Sequence, residues 1–142
     1  MKVPAHVDYL GDLREFIIQT SKVYNLSLKL TNAFKLCIDE AATNIIQHAY
    51  RGKEGQITIR AIPKKNYFTI IIIDQGRFFD PRNFADPDLH HYIAVGKKGG
   101  LGIFIIKKLM DEIDYYKSWE GNVLKLTKFC NHTVGKKGFI LF

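Results

Sequence analysis

Four isoleucines in succession, Ile70 to Ile73, run into Asp74-Gln75-Gly76, and this junction constrains the chain more than any other segment. β-Branched residues without alternation describe a strand buried on both faces. Such a strand delivers a carboxylate from an apolar interior to the mouth of a loop, where a buried acid needs a hydrogen-bond donor. Taken alone, Asp-x-Gly reads equally as an ordinary turn, since both residues are common there. The strand is one arm of a hairpin: residues 56–62 alternate, Pro63-Lys64-Lys65-Asn66 reads as the turn, and residues 67–74 return.

Around this hairpin the hydrophobic period predicts three helices. The first spans residues 9–24, with Asp12 in its first turn. The second, over residues 27–49, has Ser27 as cap and Tyr50-Arg51-Gly52 as stop, and the third covers residues 101–113. Two more strands, 113–119 and 122–129, flank a Glu120-Gly121 turn. Residues 76–99 have no period, carry Pro81 and Pro87, and are longer than the connections of compact domains, which marks a lid or binding loop. The expected architecture is α+β: a two-layer α/β sandwich with a mixed, mostly antiparallel sheet and helices on one face. Residues 1–130 form the domain, and residues 131–142 are a C-terminal tail without an assignable role.

Composition narrows the function classes. At 142 residues, 46% hydrophobic and 25% charged, the chain suits one globular domain. Its longest apolar run falls far short of the roughly 20 residues a membrane span needs, and no signal segment opens it, so a cytoplasmic location and no membrane partner are expected. Cys37 and Cys130 fit neither a disulfide framework nor a metal knuckle and read as reduced, core or near-core thiols. The net charge of +7 is spread over both halves. Its lysine doublets lack interleaved aromatics, which argues against nucleic acid and for a nucleotide phosphate or an acidic protein partner.

On the second helix, Glu40, Asn44 and Gln47 fall within about 40° of one another inside an apolar surround. Asp39 lies on another side, with Lys35 as its i, i+4 neighbour. A carboxylate and an amide oxygen one turn apart suit a positioned base at Glu40 and a Mg²⁺ ligand at Asn44. A solvent-facing stripe fits the pattern as well. His48 reads as a cap or dipole-stabilised residue. An adenine amino group would supply the donor that Asp74 requires, and Gly76 would let a flat ring approach. Gly96-Lys97-Lys98-Gly99-Gly100-Leu101-Gly102 opens the third helix, where backbone N–H groups would hold phosphate. It is neither a Walker loop nor a dinucleotide fingerprint, and a ligand-free glycine hinge remains the alternative. His90 and His91 with Asp86 and Asp88 lack the spacing of a metal site.

The ordered set CIDEAATNIIQHAY, IIDQGRFFDP and GKKGGLGIFIIKKLMDEIDY resembles the Bergerat-fold (GHKL) ATPases shared by histidine kinases, gyrase and mismatch-repair proteins. Within them it is most similar to the anti-sigma-factor serine/threonine kinases, over roughly residues 5–129. The resemblance implies ATP and Mg²⁺ as cofactors, Glu40 as general base, Asn44 as Mg²⁺ ligand, and Asp74 and Gly76 at the adenine. Lys97, Lys98, Gly99, Gly100, Leu101 and Gly102 would sit around the phosphates, and Arg14 would contact the partner. It further implies phosphorylation of a STAS-type anti-anti-sigma protein, with sequestration of a sigma factor and homodimer formation as further expectations. One departure is Phe78, which stands where Asp-x-Gly-x-Gly has its second glycine; it puts the lid geometry, and with it turnover, in question more than nucleotide binding. A non-catalytic, nucleotide-gated binding module is the alternative. A histidine-kinase catalytic domain is disfavoured, because no helical hairpin with a phospho-acceptor histidine precedes the motifs and His6 lies too near the start.

Overall fold

The fold follows from where the isoleucine strand can hide both faces. In the computed structural model, which describes residues 1–83, 85–94 and 101–130, that strand, β3 (Tyr67–Asp74), lies in the interior of a five-stranded sheet. The others are β1 (Lys2–Pro4), β2 (Gln56–Pro63), β4 (Glu112–Ser118) and β5 (Gly121–Phe129), in the order β1-β2-β3-β5-β4. Ile70 and Ile72 point into the helix-side core with Ile57, Ile59, Leu124 and Leu126. Ile73 and Val123 are buried outside that cluster, and Thr69 and Thr127 hydrogen-bond through their hydroxyls at 2.8 Å. Every described strand pairing is antiparallel, so the parallel component allowed by the sequence reading is absent among the described residues.

Helices α1 (Leu10–Val23), α2 (Leu28–Asn44) and α4 (Gly102–Leu109) supply the second layer. Leu13 and Ile17 of α1 and Phe34, Cys37 and Ile38 of α2 are buried in the same core, with Phe34 edge-on to Phe68 at 5.4 Å. Ser27 caps α2 as expected, its hydroxyl accepting from Leu30 N–H at 3.2 Å. Burial pushes the Cys37 thiol up to about 12, which keeps it protonated and inert.

Four details differ from the sequence reading. The short strand β1 was too brief to show a period. The long second helix widens after Asn44 into a π-turn over Ile45–Ala49, where Tyr50 N–H reaches back to Ile45 C=O at 3.0 Å. The third helix stops at Leu109, because Ile113 belongs to β4. A helix the period did not reveal, α3 (Leu89–Ala94), lies in the connection. Asp88 accepts from His91 N–H at 3.1 Å, and no metal-holding cluster occurs among the described residues. No described helix is long and apolar enough to cross a membrane.

Tyr50 joins the end of the π-turn to the sheet. Its hydroxyl donates to Gln56 C=O at 2.7 Å and accepts from the N–H groups of Gln56 at 3.2 Å and Gln75 at 2.9 Å. Gly55 is packed so tightly on the Tyr50 ring that a Cβ there would overlap it. Tyr50→Phe strands one carbonyl and two amides, so it should lower stability by about 2 kcal/mol in urea titration.

Candidate functional site

Asp74 ends β3 only 4% exposed. Its Oδ1 accepts from Gly76 N–H at 2.8 Å and from Asn122 Nδ2 at 2.9 Å, and the same Asn122 amide donates to Gly76 C=O at 2.9 Å. Oδ1 is thus occupied, while Oδ2 has no hydrogen bond from any described residue. Burial pushes the carboxyl above its ordinary value of 3.8, against the pull of the Asn122 and Gly76 hydrogen bonds. Asn122 escaped the sequence reading. It faces Asp74 only through the β3–β5 register, and no local pattern in the sequence marks that pairing.

Asn44, at the end of α2, lines the same cavity as Asp74, together with Ile106 of α4 and Tyr115 of β4. The Asn44 amide makes no hydrogen bond to a described residue. The cavity is about 30 Å³, against roughly 300 Å³ or more for an ordinary ligand pocket. A strap after Gly76 narrows it. Phe79 and Pro81 reach the cavity wall, the Phe79 ring stacks on His48 at 5.8 Å, and Phe79 N–H donates to the Tyr115 hydroxyl at 3.1 Å. Phe78 lies 4.9 Å from the Tyr115 ring. Burial raises the Tyr115 pKa, which keeps the hydroxyl neutral. Phe79 forms part of the wall of the cavity that Asp74 lines. Tyr115, like Asn122, was not singled out by sequence, because its place at the cavity depends on how β4 docks.

The glycines are used by packing. A Cβ on Gly76 would lie 2.7 to 2.9 Å from the main chain and Cβ of Ala49, and Arg77 N–H bonds Ala49 C=O at 2.9 Å. Gly76 therefore lets the loop lie against the π-turn, a reason different from the access to a flat ring that the sequence suggested. Gly102, the first residue of α4, packs on Glu40: a Cβ there would sit 3.3 Å from Glu40 Cβ and run into its carboxylate. Glu40 is half-buried, one turn before Asn44, and makes no ion pair or hydrogen bond with a described residue. Leu101 caps α4 in helical geometry and is half-buried. The first turn of α4 brings orphan backbone N–H groups to this end of the site. Lys97, Lys98, Gly99 and Gly100 lie outside the described residues.

Arg14 is not part of this constellation. Its Nε bonds both carboxylate oxygens of Asp39, at 2.8 and 2.7 Å, on the exposed side of the helix layer. Asp39 thus pairs with Arg14 across two helices, and no ion pair with Lys35, its expected neighbour, forms. His48 lies in the last turn of the π-segment, exposed and against Phe79.

Residues 3–128 match the family model for the histidine kinase-like ATPase domain. The chain is 30% identical over 139 residues to the serine-protein kinase RsbW of Bacillus pumilus, covering 92% of this chain and 85% of that one. It is 29% identical over 136 residues to the protein of that name from Bacillus subtilis, covering 92% and 84%. For the Bacillus cereus protein the identity is 30% over 133 residues, covering 91% and 82%.

Proposed function

The chain belongs to the histidine kinase-like ATPase family, and we propose that it is a serine/threonine protein kinase of the anti-sigma-factor type. It uses ATP and Mg²⁺ to phosphorylate a STAS-type anti-anti-sigma protein, with sequestration of a sigma factor as a second role. The observation that carries the reading is the convergence of three motifs distant in sequence. Asn44 and Asp74 share one cavity, and Glu40, one turn from Asn44, touches the start of α4 at Gly102. The printed name of the relatives, serine-protein kinase, supports the reaction class.

The residues fit the nucleotide and the metal. Asp74 Oδ2 accepts from no described residue, which suits the amino group of adenine, and its Oδ1 is held in place by Asn122 and Gly76. The Asn44 amide oxygen is a hard donor of the kind Mg²⁺ takes once, with phosphates and water completing the shell. When bound, Mg²⁺ supplies neutralisation of phosphate charge. Glu40 accepts and holds the proton of the attacking serine or threonine hydroxyl, and the first turn of α4 presents N–H groups to the phosphates. Phosphoryl transfer depends mainly on alignment and charge stabilisation, so a site this sparse suffices.

The test is titration calorimetry of Mg-ATP into the parent, Asn44→Ala and Asp74→Asn chains, followed by phosphoprotein analysis of a STAS-domain partner. Binding that weakens in both variants, with phosphoserine or phosphothreonine on the partner, is the expected result. ATP-dependent complex formation without phosphate transfer would replace the kinase with a nucleotide-gated binding module. Gly102→Ala supplies a finer check. Its methyl group displaces the Glu40 carboxylate, so transfer should drop by about 10²-fold, the cost of misplacing a reacting group by about 1 Å, with ATP affinity nearly unchanged.

A further inference from the structure

The strap that borders the cavity is tied to one residue at several points. Residues 77–83 belong to no strand, and their regular structure is one short 3₁₀ turn, Pro81–Asn83. A segment without ladder bonds lies where a few local contacts put it. At its start Arg77 N–H bonds Ala49 C=O at 2.9 Å, on the α2 side. Beyond that, three contacts converge on Tyr115 of β4. Its hydroxyl accepts from Phe79 N–H at 3.1 Å, its ring lies 4.9 Å from that of Phe78, and its carbonyl accepts from the Arg82 guanidinium at 2.8 Å. Asp80 aims that guanidinium, accepting from it at 2.7 Å and from Arg82 N–H at 2.9 Å. Lys117, also on β4, lies 5.0 Å over the Phe78 ring. Tyr115 is a fixed post for these contacts: it is 7% exposed, belongs to the core and pairs with Leu124 in the sheet.

On the reading that a nucleotide base sits against Asp74, we propose that Tyr115 is a positioning residue of the site: it fixes Phe79 and Pro81 as cavity wall and so sets the affinity for the base. Phe79 and Pro81 line the cavity together with Asp74 and Asn44. Asp74 and Asn44 come from β3 and α2, whose places the sheet and the core determine, whereas the wall they share the cavity with comes from the strap. A wall ordered only when the ligand arrives costs binding free energy, and a wall fixed beforehand saves that cost. Phe79 is held from both banks, its ring stacked on His48 at 5.8 Å and its main chain on the Tyr115 hydroxyl. The Arg82 link reaches the Tyr115 carbonyl, not the hydroxyl, so the two ties can be cut separately. In the same reading the phosphates belong to the first turn of α4, which makes none of these contacts. Loosening the strap is therefore felt at the base and not at the phosphates.

The test is calorimetric titration of Mg-ATP, adenosine and inorganic tripolyphosphate into the full chain and into Tyr115→Phe and Arg82→Ala, the last two ligands probing the two ends of the nucleotide. Tyr115→Phe keeps the ring against Phe78 and removes only the acceptor for Phe79 N–H. Arg82 is exposed, so its replacement cuts the second tie without disturbing the core. Tyr116→Phe is the control, since that residue is 44% exposed and the pleat turns it to the other face of β4. The expected result is an affinity for Mg-ATP and for adenosine about fivefold lower in each of the first two variants, the change one hydrogen bond makes, with tripolyphosphate binding and the control unaltered. Adenosine affinity equal in the parent and both variants, while Asp74→Asn still loses it, overturns the role of Tyr115 and leaves the site standing. Tripolyphosphate weakened to the same degree marks a general loosening of the fold and overturns the role as well, and tighter binding in the variants would make the strap a barrier instead. A parent that binds neither Mg-ATP nor adenosine fails the nucleotide reading, and the positioning role falls with it.

Discussion

Glu40→Gln is expected to lower phosphoryl transfer by about 10²- to 10⁴-fold, the usual worth of a positioned general base, while Mg-ATP still binds. The argument rests on the isolation of the carboxylate. Among the described residues Glu40 has no ion pair and no hydrogen bond, although it is half-buried between α2 and the first residue of α4. A structural acid in such a place would have a partner. The amide is isosteric and uncharged, so it leaves the packing against Gly102 intact and removes only the ability to take a proton. Asp39→Asn is the internal control. That acid is adjacent in sequence but points to Arg14, and an exposed ion pair contributes about 0–1 kcal/mol. Its loss should leave transfer unchanged in a single-turnover assay. Equal rates for parent and Glu40→Gln would remove the base from the mechanism.

Asp74→Asn should separate stability from binding. Because burial raises the Asp74 pKa in the folded chain, this group favours folding when protonated, below its unfolded value, and that contribution is lost as pH rises through the raised folded value. At neutral pH the buried carboxylate is therefore a cost. The neutral amide keeps an oxygen for Gly76 N–H and Asn122, so thermal unfolding should be unchanged or a few degrees higher. Nucleotide affinity should fall by about 10²-fold or more, because the substituted nitrogen sets a donor against the adenine amine. By the same logic the parent should lose ATP affinity in acid as Asp74 takes up its proton, beginning above pH 3.8. Calorimetry across that range, beside a thermal melt, reads both effects. A variant that melts well below the parent would show the carboxylate to be structural.

The two predictions rest on residues of different legibility. Glu40 and Asn44 were visible because helical period is local: four positions make a turn whatever surrounds them. Asp74 was visible because the isoleucines before it have no alternation, which only a doubly buried strand tolerates. Asn122 and Tyr115 were not, although one holds Asp74 and the other anchors the strap over it. Gly76 was visible as a glycine but not for its packing role, since Ala49 crowds it from a segment 27 residues earlier. Arg14 shows the converse: its position on α1 was legible, and its partner was not.

By itself, then, the sequence determined the order and kind of most elements, the carboxylate at the strand end and the polar stripe on the helix, all of which follow from periods and residue types within about 20 neighbours. Only the tertiary structure decided the sheet order, the short β1, the narrowing of the cavity by Phe79, the clasp of Tyr50 and the meeting of Gly102 with Glu40. Each of these joins segments far apart in the chain. Their contact is set by strand register and by the shape of the packed layers, quantities that arise when the whole core closes and that no local stretch encodes.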